Sequence, residues 1–582
     1  MKQTFTFHVS AASSPFVKRI SEILQQRIRE RCDINLTEVA VGSQLVLDLK
    51  PGIGAEGYQI EQRGDQLRIT GNDERGLLYG VGRFLRTSRY TAGQFTPSDW
   101  RGTSVPDCHV RGMYFAFHNN FYPNAPQAEL FRYIEDLALW GLNSLLFHFA
   151  PKSSNAALAT PEDILPFRPL LCDAKLLGIR VGLIAEANIG RDDAPQEIRA
   201  ANFPDTDPPR RGYAGIRICP SHPQGFSYLS KMLDEYLAGY EDIGLDYVVG
   251  FPYDSGGCGC KDCWPWGARG YVKMCKEFSR LARQRYPQCK FVLGTWCFDV
   301  QDESDGEYEG LAKALTEDKS WVDFIMSDSH FEFPAYPLQN GVPGGLPMIN
   351  FAEISMWGRF PWGGYGANPL PERFQYIWDQ SGYALDGGFP YSEGKYEDLN
   401  KFIFSQFFWN RKTTALQAVR EYIAWEYSPD MVEQLTEAIY LLEQNYPRKT
   451  SSSQLIEAKR EGWTLEGVDR AFEIIQAADQ KLPAYARQSW RWRIVYLRAL
   501  IDFELIHNHN LATDRCDAAY EELIRISHLQ TGWKCVTPPS RAYRSRELAS
   551  NNQPATLPPG SAPEHSIPLP KINAPLSNSG LT

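Results

Sequence analysis

Short apolar runs alternate with amphipathic helical patterns along residues 110–390. Eight of these runs have the length and the turn-forming borders of buried strands: 110–117, 144–149, 180–185, 246–251, 290–295, 322–327, 347–352 and 384–390. Apolar residues at helical spacing fill the gaps, most clearly at 127–140, 226–240, 271–285 and 371–380. Eight strand–helix units over about 300 residues predict a (β/α)8 TIM barrel. A doubly wound open sheet is the competing architecture, but no glycine-rich phosphate loop follows the first strand.

The pattern differs on either side of the predicted barrel. Before it, a helical pattern at 16–30 and a second one opening at 76 accompany short strands at 44–49, 58–61 and 66–70. They predict a small α/β domain over residues 1–105, with the barrel at 106–410. Beyond the barrel only helical patterns continue, and they predict a helical domain at 411–536 from the segments 415–426, 430–445, 452–476 and 490–523. The tail at 537–582 is rich in Pro, Ser and Asn, which predicts disorder.

Composition changes this picture mainly by excluding partners. The 582-residue chain has 60 Lys and Arg against 70 Asp and Glu, so no basic excess exists to bind the phosphates of a nucleic acid. The start lacks the apolar core of a secretory signal, and no segment has the length of a membrane span. We therefore expect a cytoplasmic protein without a membrane partner, and a homo-oligomer is compatible with the sequence. Aromatic residues make up 13% of the chain, which suits a carbohydrate substrate and equally suits a large core.

Polar residues gather where the predicted strands end, and in barrel enzymes the active site lies at these ends. In strand order the residues are His118 and Asn119, His148, Glu186, Asp254, Trp296 and Asp299, Asp328 and Glu332, Glu353, and Glu393. Carboxylates thus occur at six of the eight ends. Glycoside hydrolysis needs such an inventory, because one carboxylic acid protonates the leaving oxygen while a second carboxylate attacks the anomeric carbon or activates water.

Residue roles follow from this chemistry. We predict that Glu353 is the base or nucleophile, because a carboxylate inside an apolar run is costly unless it is paired or functional. Asp254 is the predicted acid, and Asp328 and Glu332 are further catalytic candidates. The predicted substrate-binding residues are Glu393, His118, Asn119, His148, Glu186, Trp296, Asp299 and Trp357. No cofactor is required for this chemistry.

Each candidate also has a purely structural interpretation. Asp254 could cap a glycine-rich turn, and Glu393 could be an anion at a helix start. Of Asp328 and Glu332, at least one could be a charge on the loop surface. The histidines could be wall residues, and any single tryptophan could serve packing alone.

Three cysteines crowd together directly after Asp254. Cys258, Cys260 and Cys263 form a CxCxxC pattern that supplies three soft metal ligands within one loop. A structural zinc would need a fourth ligand, such as Cys275, Cys219 or His222. The alternative is a packed thiol cluster, since no second CxxC appears.

Several motifs resemble those of two glycoside hydrolase families. The segments 57–60, 67–73 and 76–80 resemble the accessory domain that precedes the barrel in family 20 hexosaminidases and family 67 alpha-glucuronidases. The segment 110–113 resembles the opening of the first barrel strand in both groups. Residues 248–256 are similar to the fourth strand of the glucuronidases, and 348–356 to their segment with a catalytic carboxylate.

The resemblance implies an inverting glycosidase with its acid after strand four and base carboxylates after strands six and seven. The sequence departs from the glucuronidase pattern at Gly256, which stands where the acid is expected, and the strand-four Asp-Glu pair of the hexosaminidases is absent. We therefore expect a divergent branch, exo-acting on a uronic acid, a hexosamine or a related sugar. Two alternatives are a non-catalytic carbohydrate-binding protein and a metal-dependent lyase or isomerase that uses the cysteine cluster.

Overall fold

The computed structural model describes thirteen stretches of the chain: 4–12, 14–117, 121–149, 151–152, 157–202, 215–253, 256–298, 306–329, 332–356, 362, 366–445, 464–508 and 512–528. Among these residues, no helix combines the length and the apolarity needed to cross a bilayer.

The chain opens with a mixed sheet and two helices. Its strands and helices are β1 (Thr4–Val9), α1 (Pro15–Cys32), β2 (Asn35–Glu38), β3 (Leu45–Leu49), β4 (Tyr58–Arg63), β5 (Gln66–Gly71), α2 (Glu74–Thr87), the hairpin of β6 (Arg89–Thr91) and β7 (Gln94–Thr96), and β8 (Gly102–Ser104). Six strands form one sheet in the order β2-β1-β3-β5-β4-β8, and both helices pack against it. Each helix begins at a side-chain cap, because Ser14 accepts from the Val17 N–H and Asp73 from the Gly76 N–H.

A closed barrel of parallel strands follows. Its strands are β9 (Val110–Ala116), β10 (Ser144–His148), β11 (Arg180–Glu186), β14 (Tyr247–Phe251), β15 (Lys290–Gly294), β16 (Phe324–Ser329), β17 (Met348–Ala352), and β18 (Leu385–Gly388) with β19 (Tyr391–Ser392). The last two share the eighth position, since both pair with β9. Strand β9 also pairs with β10, which closes the sheet. The predicted TIM barrel is confirmed, and the strands agree with the predicted runs because buried parallel strands are apolar almost throughout.

Helices cover the outside of the barrel. They are α3 (Gln127–Leu139), α4 (Pro161–Ile164), α5 (Arg168–Leu176), α6 (Pro223–Ala238), α7 (Gly270–Arg285), α8 (Glu307–Glu317), α9 (Ala335–Asn340), α10 (Pro371–Ser381) and α11 (Asp398–Trp409). Beyond the end of β11, a short antiparallel ladder joins β12 (Ile189–Gly190) to β13 (Ile216–Arg217).

Beyond α11, the secondary structure in the described residues is helical. The helices are α12 (Ala415–Glu426), α13 (Val432–Gln444), α14 (Leu465–Asp479), α15 (Ala484–Arg487), α16 (Trp490–His507) and α17 (Asp514–Ile526). The helical pattern at 490–523 is divided between two helices, because Thr513 caps the second by accepting the Cys516 N–H. Of the predicted helix at 452–476, residues 465–476 belong to α14, whereas residues 452–463 and the whole tail at 537–582 lie outside the described residues.

A buried carboxylate takes part in the contact between the N-terminal sheet domain and the base of the barrel. Glu56 accepts hydrogen bonds from Arg111 of β9 at 2.6 Å, Arg180 of β11 at 2.9 Å and Asn143 at 2.9 Å. Burial alone would raise the pKa of Glu56, but the charges of Arg111 and Arg180 outweigh that effect and lower the pKa to about 2. The base of the barrel therefore holds a compensated ion cluster.

Candidate active site at the barrel mouth

Strand periodicity determines which side chains face the barrel interior. Alternate residues of the barrel strands form one apolar cluster separate from the outer core: Val110, Tyr114, Ala116, Leu146, Ile184, Tyr247, Val249, Val292, Met326, Ile349, Phe351, Phe389 and Tyr391. Continuing the same alternation to the C-terminal ends brings in six of the predicted site residues: His148, Glu186, Trp296, Asp328, Glu353 and Glu393. Strand pairing agrees, because Glu186 lies beside Phe251, Asp328 beside Phe351 and Glu353 beside Tyr391.

Aromatic rings form a floor beneath these polar side chains. Tyr114 stacks on Tyr391 with ring centroids 5.1 Å apart, and Phe351 meets Tyr114 edge to face at 5.2 Å. Phe351 also contacts Phe251, which stacks on the partly exposed ring of Trp296 at 5.3 Å. Such a surface suits the apolar face of a sugar ring, because flat rings offer contact area at little conformational cost. Of these rings the sequence analysis singled out only Trp296. The interior alternation of the strands was the signal for the others.

Glu353 lies at the end of β17 with only 4% of its surface exposed. One carboxylate oxygen, Oε1, accepts backbone N–H groups from Ser355 at 2.7 Å and Met356 at 2.6 Å. Two backbone donors on one oxygen stabilise a negative charge there. Because the turn 353–356 supplies both donors, the local backbone fixes the orientation of this carboxylate.

Glu393 stands next to Glu353 on the neighbouring eighth strand position. It is buried, and its Oε1 accepts the hydroxyl of Tyr391 at 3.0 Å. Beneath it, Glu397 accepts from the Ser392 hydroxyl at 2.6 Å and from the Gly394 N–H at 2.7 Å, and Lys401 lies 3.6 Å away. Glu397 was not among the predicted site residues. Its contacts show that it holds the turn that carries Glu393.

Glu186 stands across the mouth, on the third strand of eight. Burial raises the pKa of this carboxyl above its ordinary value of 4.5. Two residues later, the side chain of Asn188 donates to the carbonyls of Ile218 at 2.8 Å and Gly257 at 3.0 Å, and accepts the Gly257 N–H at 2.8 Å. The end of β11 is thereby tied to the segment that follows β14.

The other predicted site residues divide into three groups. His148 and Asp328 lie at the mouth, where the Nδ1 atom of His148 is 2.8 Å from the Tyr114 hydroxyl. Glu332 is exposed and accepts the hydroxyl of Tyr376, from the outer helix α10, at 3.2 Å, so the structure does not bring it into this cluster. The remaining candidates lie outside the described residues: His118, Asn119, Asp254, Asp299 and Trp357.

The cysteine cluster lies beside the mouth rather than inside it. Cys258, Cys260 and Cys263 meet Cys219, from the connection that precedes α6, and the four sulfur atoms lie within 4.8 Å of one another. Among the residues that the structure describes, this is the one group of His, Cys, Asp or Glu side chains arranged to hold a metal. Of the three fourth ligands proposed from sequence, Cys219 joins the cluster.

The fold and its mouth define a TIM-barrel protein flanked by a sheet domain and helices, and solved structures similar to it include glycoside hydrolases. One is a family GH115 4-O-methyl-alpha-glucuronidase with specificity for decorated arabinogalactans (TM-score 0.59, 12% identity, 90% of this chain and 76% of that chain). A second is a GH138 enzyme targeting pectin rhamnogalacturonan II (TM-score 0.57, 12% identity, 94% and 92%). A third is a family 89 glycoside hydrolase from Clostridium perfringens (TM-score 0.58, 12% identity, 89% and 65%).

At this level of identity, the similarity shows a shared fold. No protein-family model matches the sequence, and no curated protein matches it.

Proposed function

We propose that this protein is a glycoside hydrolase whose catalytic carboxylates line the C-terminal mouth of the barrel. The observation that carries the proposal is the set of carboxylates at the interior-facing ends of four strands, directly above an aromatic floor. Acid and base chemistry on one glycosidic bond requires two carboxyl groups in different environments. Glu353 and Glu186 differ in this way, because backbone donors stabilise the charge on Glu353 whereas burial favours the neutral form of Glu186.

In this mechanism Glu353 is the anionic group that attacks the anomeric carbon or activates a water molecule. The proton for the leaving oxygen comes from Asp254, the residue that the sequence favours, or from Glu186, whose pKa is raised by burial in the direction that favours the acid form. Glu393, Asp328 and His148 hold sugar hydroxyls, and Trp296 packs against a ring face.

For the substrate we propose a terminal uronic acid, hexosamine or related sugar, removed in an exo fashion. Support comes from the motif resemblance and from two structural neighbours, one a 4-O-methyl-alpha-glucuronidase and one solved in complex with GlcNAc-alpha-1,4-galactose.

Chromophore release from a panel of aryl α- and β-glycosides, including uronides and N-acetylhexosaminides, tests the proposal. We expect turnover of at least one member, and we expect Glu353→Gln to lower kcat by about 100- to 10,000-fold because the variant loses the acting carboxylate. Glu332→Gln is the matched control, since Glu332 is exposed on the outer surface, and it should retain the wild-type rate.

A Glu353→Gln variant with the wild-type rate would refute the role of this residue. Saturable binding of a glycan without turnover, measured by calorimetry, would favour the carbohydrate-binding alternative. A lyase or isomerase would instead lose its activity on metal removal.

A further inference from the structure

Four cysteine side chains converge from two separate parts of the chain. Cys219 lies between β13 and α6, whereas Cys258, Cys260 and Cys263 belong to the segment that follows β14. The sulfur of Cys219 is 3.7 Å from that of Cys260 and 3.8 Å from that of Cys263. These separations exclude a disulfide between those pairs, which requires about 2.05 Å, and the four cysteines are free thiols.

The spacing has a simple geometric meaning. Four thiolates placed tetrahedrally around Zn²⁺ with Zn–S bonds of about 2.3 Å have their sulfurs about 3.8 Å apart. Both measured separations agree with this value, and all four sulfurs lie close enough together to share one centre.

A polar group beside the sulfurs also suits a thiolate. The hydroxyl of Ser221 lies 3.0 Å from the sulfur of Cys263. Donors of this kind stabilise the charge of sulfur ligands and fix their orientation.

We propose that Cys219, Cys258, Cys260 and Cys263 bind one Zn²⁺ ion in a closed, structural tetrathiolate site. Four protein ligands leave no open coordination position, which is the arrangement of structural rather than catalytic zinc. Cys275 has no place in this site, because its side chain lies in the core against Gly250 and Tyr271.

The zinc site would fasten the loop after β14 to the connection before α6. Other contacts converge on the same junction: the Gly259 N–H donates to the carbonyl of Ala201 at 3.0 Å, and Lys273 donates to the carbonyl of Pro220 at 2.8 Å. The first ligand of this segment, Cys258, lies four residues after Asp254 in the sequence, so the metal would also fix one wall of the mouth. That last consequence rests on the proposed function, whereas the metal site itself does not.

Elemental analysis of the full chain, purified without chelators or a metal-affinity tag, tests the proposal. We expect about one zinc per chain, and titration of the thiols with a mercurial should release it to a chromogenic zinc indicator. After exchange, Co²⁺ should show the sulfur-to-metal charge transfer and the intense visible bands of a tetrahedral thiolate site. These measurements on the wild-type chain do not depend on a variant that folds or on any enzymatic activity.

Cys219→Ala should weaken zinc binding by about 100-fold or more, because a ligand is lost. Cys172→Ala removes an exposed thiol outside the cluster and should retain one zinc per chain. A wild-type chain that contains no metal and does not take up Co²⁺ would overturn the proposal. Stoichiometric iron, or a disulfide among these cysteines in mass spectra, would also overturn it.

Discussion

Two buried glutamates lie at opposite ends of strand β11, and their pKa values are shifted in opposite directions. At its start, Arg180 donates to Glu56 at the base of the barrel, and at its end stands Glu186 in the mouth. Glu56 also meets Arg111 and Arg75, and its pKa falls to about 2. Glu186 has no Arg or Lys in ion-pair contact among the described residues, and burial raises its pKa. Both residues are 8% exposed, so the arginine charges and the hydrogen bonds around Glu56, rather than a difference in exposure, separate them.

The difference in pKa distinguishes a carboxylate that stabilises the fold from one that can take part in proton transfer. A buried charge that is paired and hydrogen-bonded holds elements in place, and its removal leaves the partner charges uncompensated. A buried carboxyl without such partners costs stability in its charged form and persists where chemistry uses its proton. Under the proposed function, the base of the barrel serves the fold whereas the mouth holds the groups for the reaction, as expected for the two ends of a TIM barrel.

Among the variants that test this comparison, we expect Glu56→Gln to change the free energy of unfolding most. The substitution leaves the buried guanidinium of Arg111 without its carboxylate. We therefore expect the free energy of unfolding to fall by about 3–5 kcal/mol. Denaturant unfolding measures the loss. Glu61→Gln is the matched control, because Glu61 pairs with the exposed Arg63 in the same domain and should cost less than about 1 kcal/mol. Equal losses in the two variants would show that the cluster around Glu56 contributes no more than a surface pair.

The ion cluster around Glu56 should also make the free energy of unfolding depend on pH in the acid range. Because the pKa of Glu56 falls from 4.5 to about 2 on folding, its contribution is present above pH 4.5 and is lost as the pH falls toward 2. We expect it to amount to about 3 kcal/mol. Unfolding of wild type and Glu56→Gln between about pH 2 and 6 measures it, and the difference between the two should shrink as the pH falls. A difference that stays constant with pH would contradict the assigned pKa.

The barrel was predictable from sequence because its strands are buried on both faces and alternate with amphipathic helices. The cluster at its base was not, because Glu56 lies 55 residues from Arg111 and 124 residues from Arg180. No local pattern marks such contacts. The prediction of one helix at 490–523 missed a boundary that the sequence does signal, with the polar run 507–510 and the N-cap Thr513.

At the mouth, the sequence predicted the carboxylates at the strand ends as a group. The alternation of residues along each strand then separates those that face the barrel interior from those that do not. Asp328 falls on the same face of β16 as Met326, whereas Glu332 lies beyond the strand and reaches Tyr376 outside the barrel. Cys219 could be named only as one of three fourth ligands. It is distant in sequence from Cys258, and only the folded chain brings them together.

We expect the smallest change in the free energy of unfolding for Glu186→Gln. This variant should be more stable than wild type, whereas Glu56→Gln should be less stable. Because the pKa of Glu186 is raised in the folded state, the folded protein binds the proton more tightly than the unfolded chain does. Its contribution to stability is therefore full below pH 4.5 and is lost as the pH rises through the raised pKa. A neutral glutamine avoids that loss, so we expect the variant to be more stable than wild type at neutral pH.

The same variant decides whether the raised pKa serves catalysis. A general acid matters most when the leaving group is a poor one, so Glu186→Gln should slow a phenyl glycoside far more than a dinitrophenyl glycoside if Glu186 donates the proton. Asp254→Asn, assayed in parallel, is the competing assignment. If only Asp254→Asn shows this dependence on the leaving group, Glu186 is a substrate-binding residue and not the acid. If Glu186→Gln is instead less stable at neutral pH, the contrast between the two ends of β11 fails, because the carboxylate in the mouth would then also serve the fold.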